Sequence, residues 1–411
     1  MQGSLRIALL SYRGDPQVGG QGVYVRQLAA GLNALGHRVT IFSGPPYPDV
    51  SEGVRLEHVP SLDLYRPADP FRRPALREFR GPVDALEYAL MCTGAFPEPL
   101  TFSLRMMQRI RAGDFDVVHD NQTLGYGGLL LAKRGPFVTT IHHPISIDRR
   151  MALASAGDAK ERATKLRWYS FVRMQRRVAK RLPSVLAVSE SAARDVVREF
   201  EVPARRVSVV PNGVDVDLFK PLPDVTRRAG KIVATLSSDM PSKGLSHLIE
   251  AVAKLRTERD VTLTLIGKGG VGVVAEDLVR RFGIEAAVET PGRVDALDLV
   301  RHLNEASVVV VPSLYEGFSL PAVEAMSCGA PLVATTGGAI PEVVGGDGVA
   351  ALLVPPADAG ALAEAICRLL DDSVLAEALG GAGRSRVLER FTWKEAARLT
   401  TDVYRQAIEG C

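Results

Sequence analysis

Two adjoining segments, Val308-Val-Val-Val-Pro312 and Glu316-Gly-Phe-Ser-Leu-Pro-Ala-Val-Glu324, say most about how this chain folds. A continuous β-branched run that ends at a proline is typical of a fully buried strand. Pro321 suits the first helical position, and Gly329 suits the left-handed residue that ends a helix. The spacing therefore predicts a helix from about Pro321 to Cys328. A buried strand that leads into a helix is the repeating unit of parallel α/β sheets.

Glu316 and Glu324 place two carboxylates around the start of this predicted helix. Its free backbone N–H groups, at about Phe318 to Leu320, favour an anion such as a diphosphate. Carboxylates accept hydrogen bonds from hydroxyl groups, so the pair suits a hydroxyl-rich phosphorylated ligand. The alternative is one solvated glutamate and one glutamate on a helix surface, and the spacing alone leaves both open.

The bulk composition is that of an ordinary globular protein. A length of 411 residues allows two domains with full cores. The charged fraction is 24% and the net charge only +3, which gives no reason to expect a nucleic-acid partner. Four scattered cysteines without a CxxC pair favour reduced thiols over disulfides. Leu5-Arg-Ile-Ala-Leu-Leu10 is too short for a signal-peptide core or a membrane span, so we expect a cytoplasmic protein.

Strand-like and helix-like segments alternate along the whole chain, which predicts parallel sheets joined by crossover helices. The alternation starts again after Pro221-Leu-Pro223, and the turn-prone Asn212-Gly213 lies just before it. We therefore expect two doubly wound domains, residues 1–215 and 216–392. The expected strands are Leu5–Leu10, Val39–Phe42, Val117–Val118, Phe137–Ile141, Val185–Val188 and Val207–Val210 in the first domain, and Lys231–Leu236, Leu263–Ile266, Ser307–Val311, Leu332–Ala334 and Ala351–Val354 in the second.

Two stretches depart from this alternation. Leu62 to Phe115 contains six prolines, which favours a functional surface over a plain linker. Lys160 to Arg181 carries nine basic residues and one acidic residue. It is either an ordinary amphipathic helix with its apolar stripe packed inward, or a patch for anionic lipid head groups or a phosphorylated acceptor. The second possibility would place the protein at the inner face of the cell membrane.

In its motifs the chain resembles the retaining glycosyltransferases of family 4, which have the GT-B fold. The acidic segment continues into Ala325-Met-Ser-Cys-Gly-Ala-Pro-Leu-Val333 and Gly337-Gly-Ala-Ile-Pro-Glu342, as the family's segment does. Val209-Val-Pro-Asn-Gly-Val-Asp-Val-Asp-Leu-Phe-Lys-Pro221 is similar to the family's inter-domain segment, and Gly19-Gly-Gln-Gly22 to its glycine loop. The resemblance covers nearly the whole chain. It implies two Rossmann-like domains facing each other across a cleft, with the last helix, about residues 393–411, packing back on the N-terminal domain.

The resemblance also implies a set of donor-binding residues. Glu316 would hold the transferred hexose, and Glu324 the ribose of the nucleotide. Lys243, a point charge suited to a departing diphosphate, would act with Glu316 in catalysis. In the family a Gly-Arg pair precedes this lysine, whereas here Ser237-Ser238 stands in its place, and Arg293 is a candidate to substitute for the missing cation. The remaining donor-binding residues implied are Gly19, Gly20, Ser238, Val294, Gly317, Phe318, Ser319 and Leu320.

On the acceptor side, Thr139-Thr-Ile-His-His-Pro144 ends a predicted strand. His142 matches a family histidine that lies near the sugar or the acceptor, and we assign it a catalytic role with His143 beside it. His119 also matches the family, while Asn121 stands where a second histidine is common. Asp215-Val-Asp217 has the spacing of a metal site but lies in the inter-domain segment, so we expect a structural role there and no metal.

Taken with the resemblance, these residues indicate a retaining glycosyltransferase that moves a hexose from a UDP- or GDP-sugar to an acceptor hydroxyl, on a lipid or another glycoconjugate precursor. No further cofactor is expected, because the nucleotide sugar is itself the donor substrate. The alternative is a catalytically weak nucleotide-sugar-binding subunit or sensor on the same fold, for which Ser237-Ser238 is the motive. A dehydrogenase is excluded because no GxGxxG follows either domain's first strand with an acidic residue placed for a ribose.

Overall fold

The computed structural model describes residues 3–14, 20–66, 68–236, 241–267, 272–292 and 294–410. The chain divides into two compact units, Met1–Val210 with Ala396–Cys411, and Pro211–Glu395. Within the described residues each unit contains one fully parallel sheet with helices along its connections. The doubly wound α/β class expected from the alternation is confirmed.

The first unit has a seven-stranded sheet in the order β3-β2-β1-β4-β5-β6-β7 among its described residues. Its helix α1 begins at Gly20, and helix α16 is the last of its elements. In order, the elements are β1 (Arg6–Ser11), α1 (Gly20–Ala34), β2 (Arg38–Ser43), β3 (Arg55–His58), α2 (Pro82–Cys92), α3 (Glu98–Arg109), β4 (Val117–Asn121), α4 (Tyr126–Leu131), β5 (Phe137–Ile141), α5 (Ile145–Ala154), α6 (Ala159–Trp168), α7 (Val172–Ala179), β6 (Ser184–Ala187), α8 (Glu190–Phe200), β7 (Val207–Val209) and, after the second unit's elements, α16 (Trp393–Glu409).

The second unit has a six-stranded sheet in the order β10-β9-β8-β11-β12-β13 among its described residues. In order, the elements are β8 (Arg228–Leu236), α9 (Leu245–Leu255), β9 (Thr262–Gly267), α10 (Gly272–Phe282), β10 (Val288–Gly292), α11 (Ala296–Glu305), β11 (Ala306–Val311), α12 (Leu320–Ser327), β12 (Leu332–Thr335), α13 (Ile340–Val344), β13 (Leu352–Val354), α14 (Ala359–Asp371) and α15 (Ser373–Arg390).

In both sheets the chain order reverses beside the first strand. In the first unit β1 pairs with β2 on one side and β4 on the other, and in the second β8 pairs with β9 and β11. Side chains of the central strands, such as those of Val308 to Val310, are fully buried because helices cover both faces. Ligands of doubly wound sheets bind at such a reversal, beyond the carboxyl ends of the strands.

The two strands that the sequence did not predict, β3 and β10, both lie at a sheet edge. β3 has the sequence Arg-Leu-Glu-His, which is too polar to stand out as a strand. β10 contains Pro291 and Gly292, which weaken a strand but are tolerated where one side of the backbone needs no partner. Gly292 is the last residue of this edge strand.

The two stretches that depart from the alternation, Leu62 to Phe115 and Lys160 to Arg181, both contain helices. Within Leu62 to Phe115, α2 and α3 are joined by a buried ion network in which Arg105 contacts Asp84 and Glu87. The basic stretch is not one helix, because a short 3-10 turn separates α6 from α7. Every helix in the described part of the chain is too short or too polar to cross a membrane.

Candidate active site

In the second unit, Lys243 and Glu316 meet at the reversal between β8 and β11. The Nζ atom of Lys243 donates to Oε1 of Glu316 at 2.8 Å, and the hydroxyl of Ser313 donates to the same oxygen at 2.7 Å. The two charged side chains are 18% and 12% exposed, so each is largely shielded but open to a ligand. The structure thus brings together the carboxylate and the cation that the sequence assigned to catalysis.

Glycines fix the backbone around this pair. Gly244 follows Lys243 with φ +68°, and a Cβ there would lie 1.9 Å from the carbonyl oxygen of Pro312. Gly338 has φ +65°, and a Cβ there would lie 2.2 Å from the carbonyl oxygen of Glu316, which accepts a hydrogen bond from the N–H of Ala339 at 2.9 Å. Only a glycine fits these positions, because any side chain would displace the backbone that carries Lys243 or Glu316.

Helix α12 begins at Leu320, one residue before the predicted start, and Ser319 precedes it as a left-handed cap with φ +85°. Ser319 is 3% exposed, and its hydroxyl has no hydrogen-bond partner among the described residues. A buried hydroxyl without a hydrogen bond at a helix N-terminus costs folding free energy unless a ligand supplies that hydrogen bond. Glu324 lies one turn further along α12 and is partly exposed.

Phe318 and Gly317 complete the turn between Glu316 and the helix. The Phe318 side chain is 5% exposed and packs edge-on against Phe391, with ring centroids 5.6 Å apart. Its ring therefore belongs to the core of the unit, which leaves its backbone for any ligand contact. Several expected donor residues, namely Gly19, Ser237, Ser238 and Arg293, lie outside the described residues; Gly20 begins α1, and Val294 is partly exposed after β10.

In the first unit, His119 on β4 is fully buried in a chain of hydrogen bonds. One ring nitrogen lies 2.6 Å from the Tyr404 hydroxyl of α16, and the other lies 2.7 Å from the Thr140 hydroxyl. The hydroxyl of Tyr24 on α1 is in turn 2.8 Å from that of Thr140. Both nitrogens of His119 are therefore engaged inside the unit, and the residue orients its neighbours instead of facing an acceptor.

His142 follows β5 and lies at the open end of the same group. Its Nε2 is 2.8 Å from Oδ1 of Asn121, and its ring stands edge-on to Tyr24 with a centroid distance of 4.7 Å. The backbone N–H of His142 donates to Oε1 of Gln122 at 2.6 Å. His143 lies next to it, with Nε2 2.6 Å from Oδ2 of Asp148. The side chains of His142 and Asn121 thus meet at the carboxyl ends of β5 and β4.

Burial keeps His119 and His142 neutral. It lowers the pKa of His119 to about 3. It also lowers the pKa of His142, and the neighbouring His143 and His119 add to that effect. The buried carboxyl of Asp120 has a raised pKa for the same reason, against hydrogen bonds from Thr139 and Leu124. A neutral imidazole at His142 can donate or accept a hydrogen bond near neutral pH but does not carry a charge.

The sequence missed several residues that shape these two groups. In the first unit, Tyr24, Thr140 and Tyr404 belong to the hydrogen-bonded group around His119, and in the second unit Ser313 and Gly338 contact Glu316. Thr140 could have been found, because it directly precedes the strand end that carries His142. Nothing in the local sequence of Tyr404 indicates that it reaches a histidine 285 residues earlier.

The remaining candidates have structural partners. Oδ1 of Asp215 accepts hydrogen bonds from the N–H groups of Asp217 at 3.2 Å and Leu218 at 3.1 Å, so it caps a turn. Groups of three His, Cys, Asp or Glu side chains suited to a metal ion do not occur in the described ranges. In the basic stretch, Arg176 and Lys180 both pair with Glu201.

Comparisons with known proteins agree with this geometry. Residues 18–218 match the family described as Glycosyltransferase Family 4, and residues 230–372 match the one described as Glycosyl transferases group 1. The chain is 49% identical to an MMP α-(1→4)-mannosyltransferase of Mycolicibacterium hassiacum over 98% of both chains. The chain belongs to glycosyltransferase family 4. That membership, with the two doubly wound sheets, makes it a glycosyltransferase of the GT-B class.

More distant relatives also match nearly the whole of this chain. A D-inositol 3-phosphate glycosyltransferase of Streptomyces bingchenggensis is 29% identical over 98% of this chain and 90% of its own length. Among solved structures, the sucrose-phosphate synthase of Thermosynechococcus elongatus is similar with a TM-score of 0.76 and 26% identity, over 98% of this chain and 99% of that one. These matches cover both units, so the likeness is not confined to one sheet.

Proposed function

We propose that this glycosyltransferase transfers a mannosyl group from a nucleotide sugar to an acceptor hydroxyl, with retention at the anomeric carbon. The choice of sugar is supported by the 49% identity to an MMP α-(1→4)-mannosyltransferase along nearly the whole chain. Retention is supported by the motifs that this chain shares with the retaining enzymes of its family. The donor would be GDP- or UDP-mannose, held without a metal or further cofactor.

The observation that carries this proposal is the contact between Lys243 and Glu316 beside the start of α12. A donor that binds there brings a diphosphate to Lys243 and to the free N–H groups of the helix. Its sugar brings hydroxyl groups to the Glu316 carboxylate, which accepts their hydrogen bonds. The unpaired hydroxyl of Ser319 is completed by the same ligand. When the donor binds, Lys243 and Glu316 exchange their contact with each other for contacts with the donor. The hydroxyl of Ser319 gains the hydrogen bond that it otherwise lacks.

The chemistry assigned to these residues is positioning and charge stabilisation. As the diphosphate leaves, its growing negative charge is stabilised by Lys243 and by the amides of α12. Glu316 is held by Ser313 and Lys243, so it acts as a binding group and not as a nucleophile. The departing phosphate takes the proton of the acceptor hydroxyl. Neutral His142, fixed by Asn121, orients the sugar or the acceptor through a hydrogen bond.

The test is a direct assay with GDP-mannose and UDP-mannose and with methyl α-mannoside or α-(1→4)-linked mannobiose as acceptor. We expect an α-linked product from an α-linked donor, identified by the one-bond C–H coupling of its anomeric carbon. Thermal stabilisation by GDP, UDP and their sugars identifies the nucleotide, because a ligand bound by the folded state alone raises its stability. An inverted product would contradict retention, and failure with every mannose donor would contradict the choice of sugar.

Glu316→Gln and Glu324→Gln form a matched pair of variants for this assay. Glu316→Gln should abolish transfer and leave nucleotide affinity nearly unchanged, because Glu316 contacts the sugar. Glu324→Gln should mainly raise the donor KM, because Glu324 contacts the ribose. If Glu316→Gln kept near-normal turnover, the site assignment would be wrong. Slow donor hydrolysis by the unmodified protein separates an enzyme from the alternative of a catalytically weak sensor.

A further inference from the structure

Outside the residues used above, the first unit carries a group of four aromatic side chains, Tyr65, Phe71, Phe96 and Trp168, which we call the aromatic cluster. Tyr65 contacts all three others, with ring centroids 5.4 Å from Phe71, 5.1 Å from Phe96 and 5.5 Å from Trp168. Phe96 and Trp168 lie 5.0 Å apart, tilted by 34°. Three segments that are distant in sequence thus converge on one aromatic surface.

Phe71 is the exposed member of the cluster. It is 56% exposed, whereas the other three are partly covered. Its backbone has φ +60°, a left-handed conformation that is rare for a bulky residue and costs free energy. The backbone N–H of Phe71 donates to the carbonyl of Leu64 at 2.7 Å, and the guanidinium of the next residue, Arg72, donates to the carbonyl of Leu62 at 2.7 Å. The loop is therefore tied down in a strained form that presents a phenyl ring to solvent.

The cluster is continuous with the carboxyl edge of the sheet on which the acceptor-side residues lie. Tyr12 follows β1 directly, and its ring lies 6.4 Å from that of Phe96. Strand β1 pairs with β4 in a register that sets Leu10 beside Asp120, so Tyr12 lies beyond the strand end at the level where Asn121 and Gln122 follow. A ligand that extends from His142 along this edge toward β1 would approach Tyr12 and the cluster.

The charge of Arg13, the cation that lies against the rings of the cluster, is neutralised by Glu98. Arg13 lies between Tyr65 and Phe96, 5.8 Å from each ring centroid. Its guanidinium donates to both oxygens of the buried Glu98 at 2.6 and 2.9 Å. A guanidinium paired in this way has little attraction left for a phosphate group. The cluster therefore suits a neutral ligand with an apolar face.

We propose that the aromatic cluster is a platform for sugar residues of the acceptor that lie beyond the one that accepts the transferred group. One face of a mannopyranose ring presents C–H groups, which stack on the electron-rich face of an aromatic ring. This inference rests on the proposed function, because the ligand that it assigns to the aromatic cluster is the acceptor of the transfer reaction. It adds that the acceptor is a neutral saccharide chain of more than one unit. A lipid chain is the other occupant that an exposed phenyl ring could meet.

The test compares acceptors of different length in the full-length protein. Kinetic constants and calorimetric dissociation constants are measured with methyl α-mannoside and with α-(1→4)-linked mannotetraose, for the unmodified chain and for Phe71→Ala. We expect Phe71→Ala to raise the KM and Kd of mannotetraose about fivefold, from the loss of one stacking contact. The KM of the donor, the KM of methyl α-mannoside and the rate of donor hydrolysis should stay within about twofold.

Leu76→Ala is the matched control, because Leu76 lies in the same segment, is 90% exposed and has no aromatic ring to stack on a sugar. Phe71→Tyr should restore mannotetraose binding, since it keeps the aromatic face. Equal constants for Phe71→Ala and Leu76→Ala would overturn the platform. So would a loss of binding to vesicles containing phosphatidylglycerol in Phe71→Ala with no change for mannotetraose, because the occupant would then be lipid.

Calorimetry needs no turnover and so separates this inference from the proposed function. If mannotetraose binds in a Phe71-dependent manner and no mannose is transferred to any acceptor, the proposed function fails and the platform stands. If transfer proceeds normally and neither the KM nor the Kd of mannotetraose responds to Phe71→Ala, the platform fails and the proposed function stands.

Discussion

Gly338→Ala is a small substitution with a large expected effect on activity. Gly338 has no side chain of its own, yet its Cα faces the backbone of Glu316, which forms an ion pair with Lys243. The added Cβ would lie 2.2 Å from the carbonyl oxygen and 2.9 Å from the nitrogen of Glu316. Since an ordinary contact begins at 3.4 Å, the two segments must separate by about 1.2 Å, the difference between 3.4 and 2.2 Å. That movement acts directly on the carboxylate that Lys243 holds.

The expected magnitude has two parts. The left-handed φ of +65° costs an alanine about 1–2 kcal/mol of folding free energy, and the forced contact adds about 1–3 kcal/mol. A displacement of about 1 Å near the reacting groups lowers turnover by about 100-fold. Gly283 provides the control, because it has the same φ of +65° but no atom within 4 Å of its would-be Cβ. Gly283→Ala should therefore show the conformational cost alone and keep its activity.

The assay measures kcat and KM for the donor together with urea unfolding of both variants. We expect Gly338→Ala to fold, to lose kcat by about two orders of magnitude and to be less stable than Gly283→Ala. If the two variants had the same kcat within threefold, Gly338 would not position Glu316, and the argument from its close backbone contact would fail.

Three further outcomes follow from the site. Lys243→Ala should lower kcat at least tenfold, because one preorganised charge at a leaving anion contributes about 2–4 kcal/mol; an unchanged rate would mean that another cation stabilises the diphosphate. Ser319→Gly should raise the melting temperature of the ligand-free protein by relieving the left-handed φ, while it weakens donor binding; unaltered donor affinity would remove Ser319 from the site. The folded pKa of His119, about 3, lies below its unfolded value of about 6.5, so the unfolded chain binds the extra proton and stability falls as the pH drops below 6.5, by about 2 kcal/mol at pH 5. His119→Gln should flatten that part of the urea-measured pH dependence, and an identical slope in the variant would show that other groups cause it.

Among the strands of the described residues, every central one was predicted, and the two that were missed both lie at a sheet edge. β5 was predicted with its observed limits, Phe137–Ile141, because all five of its residues are β-branched or aromatic. The start and end of α12 were each predicted within one residue from Pro321 and Gly329. β3 and β10 were missed because an edge strand can keep polar residues, proline and glycine. The break between α6 and α7 was missed because no proline or glycine marks it.

The sequence alone determined the fold class, the presence of two sheets and the chemical character of Glu316, because these depend on local periodicity and on residue types next to strand ends. Only the tertiary structure decided which of these residues meet. Lys243 lies 73 residues before Glu316, and His119 lies 285 residues before the Tyr404 that fixes its ring. The contact between Phe71 and Trp168 likewise joins residues that are far apart in sequence. Such pairs depend on how helices and loops pack against a sheet, and local preferences of the backbone contain no information about distances between segments so far apart.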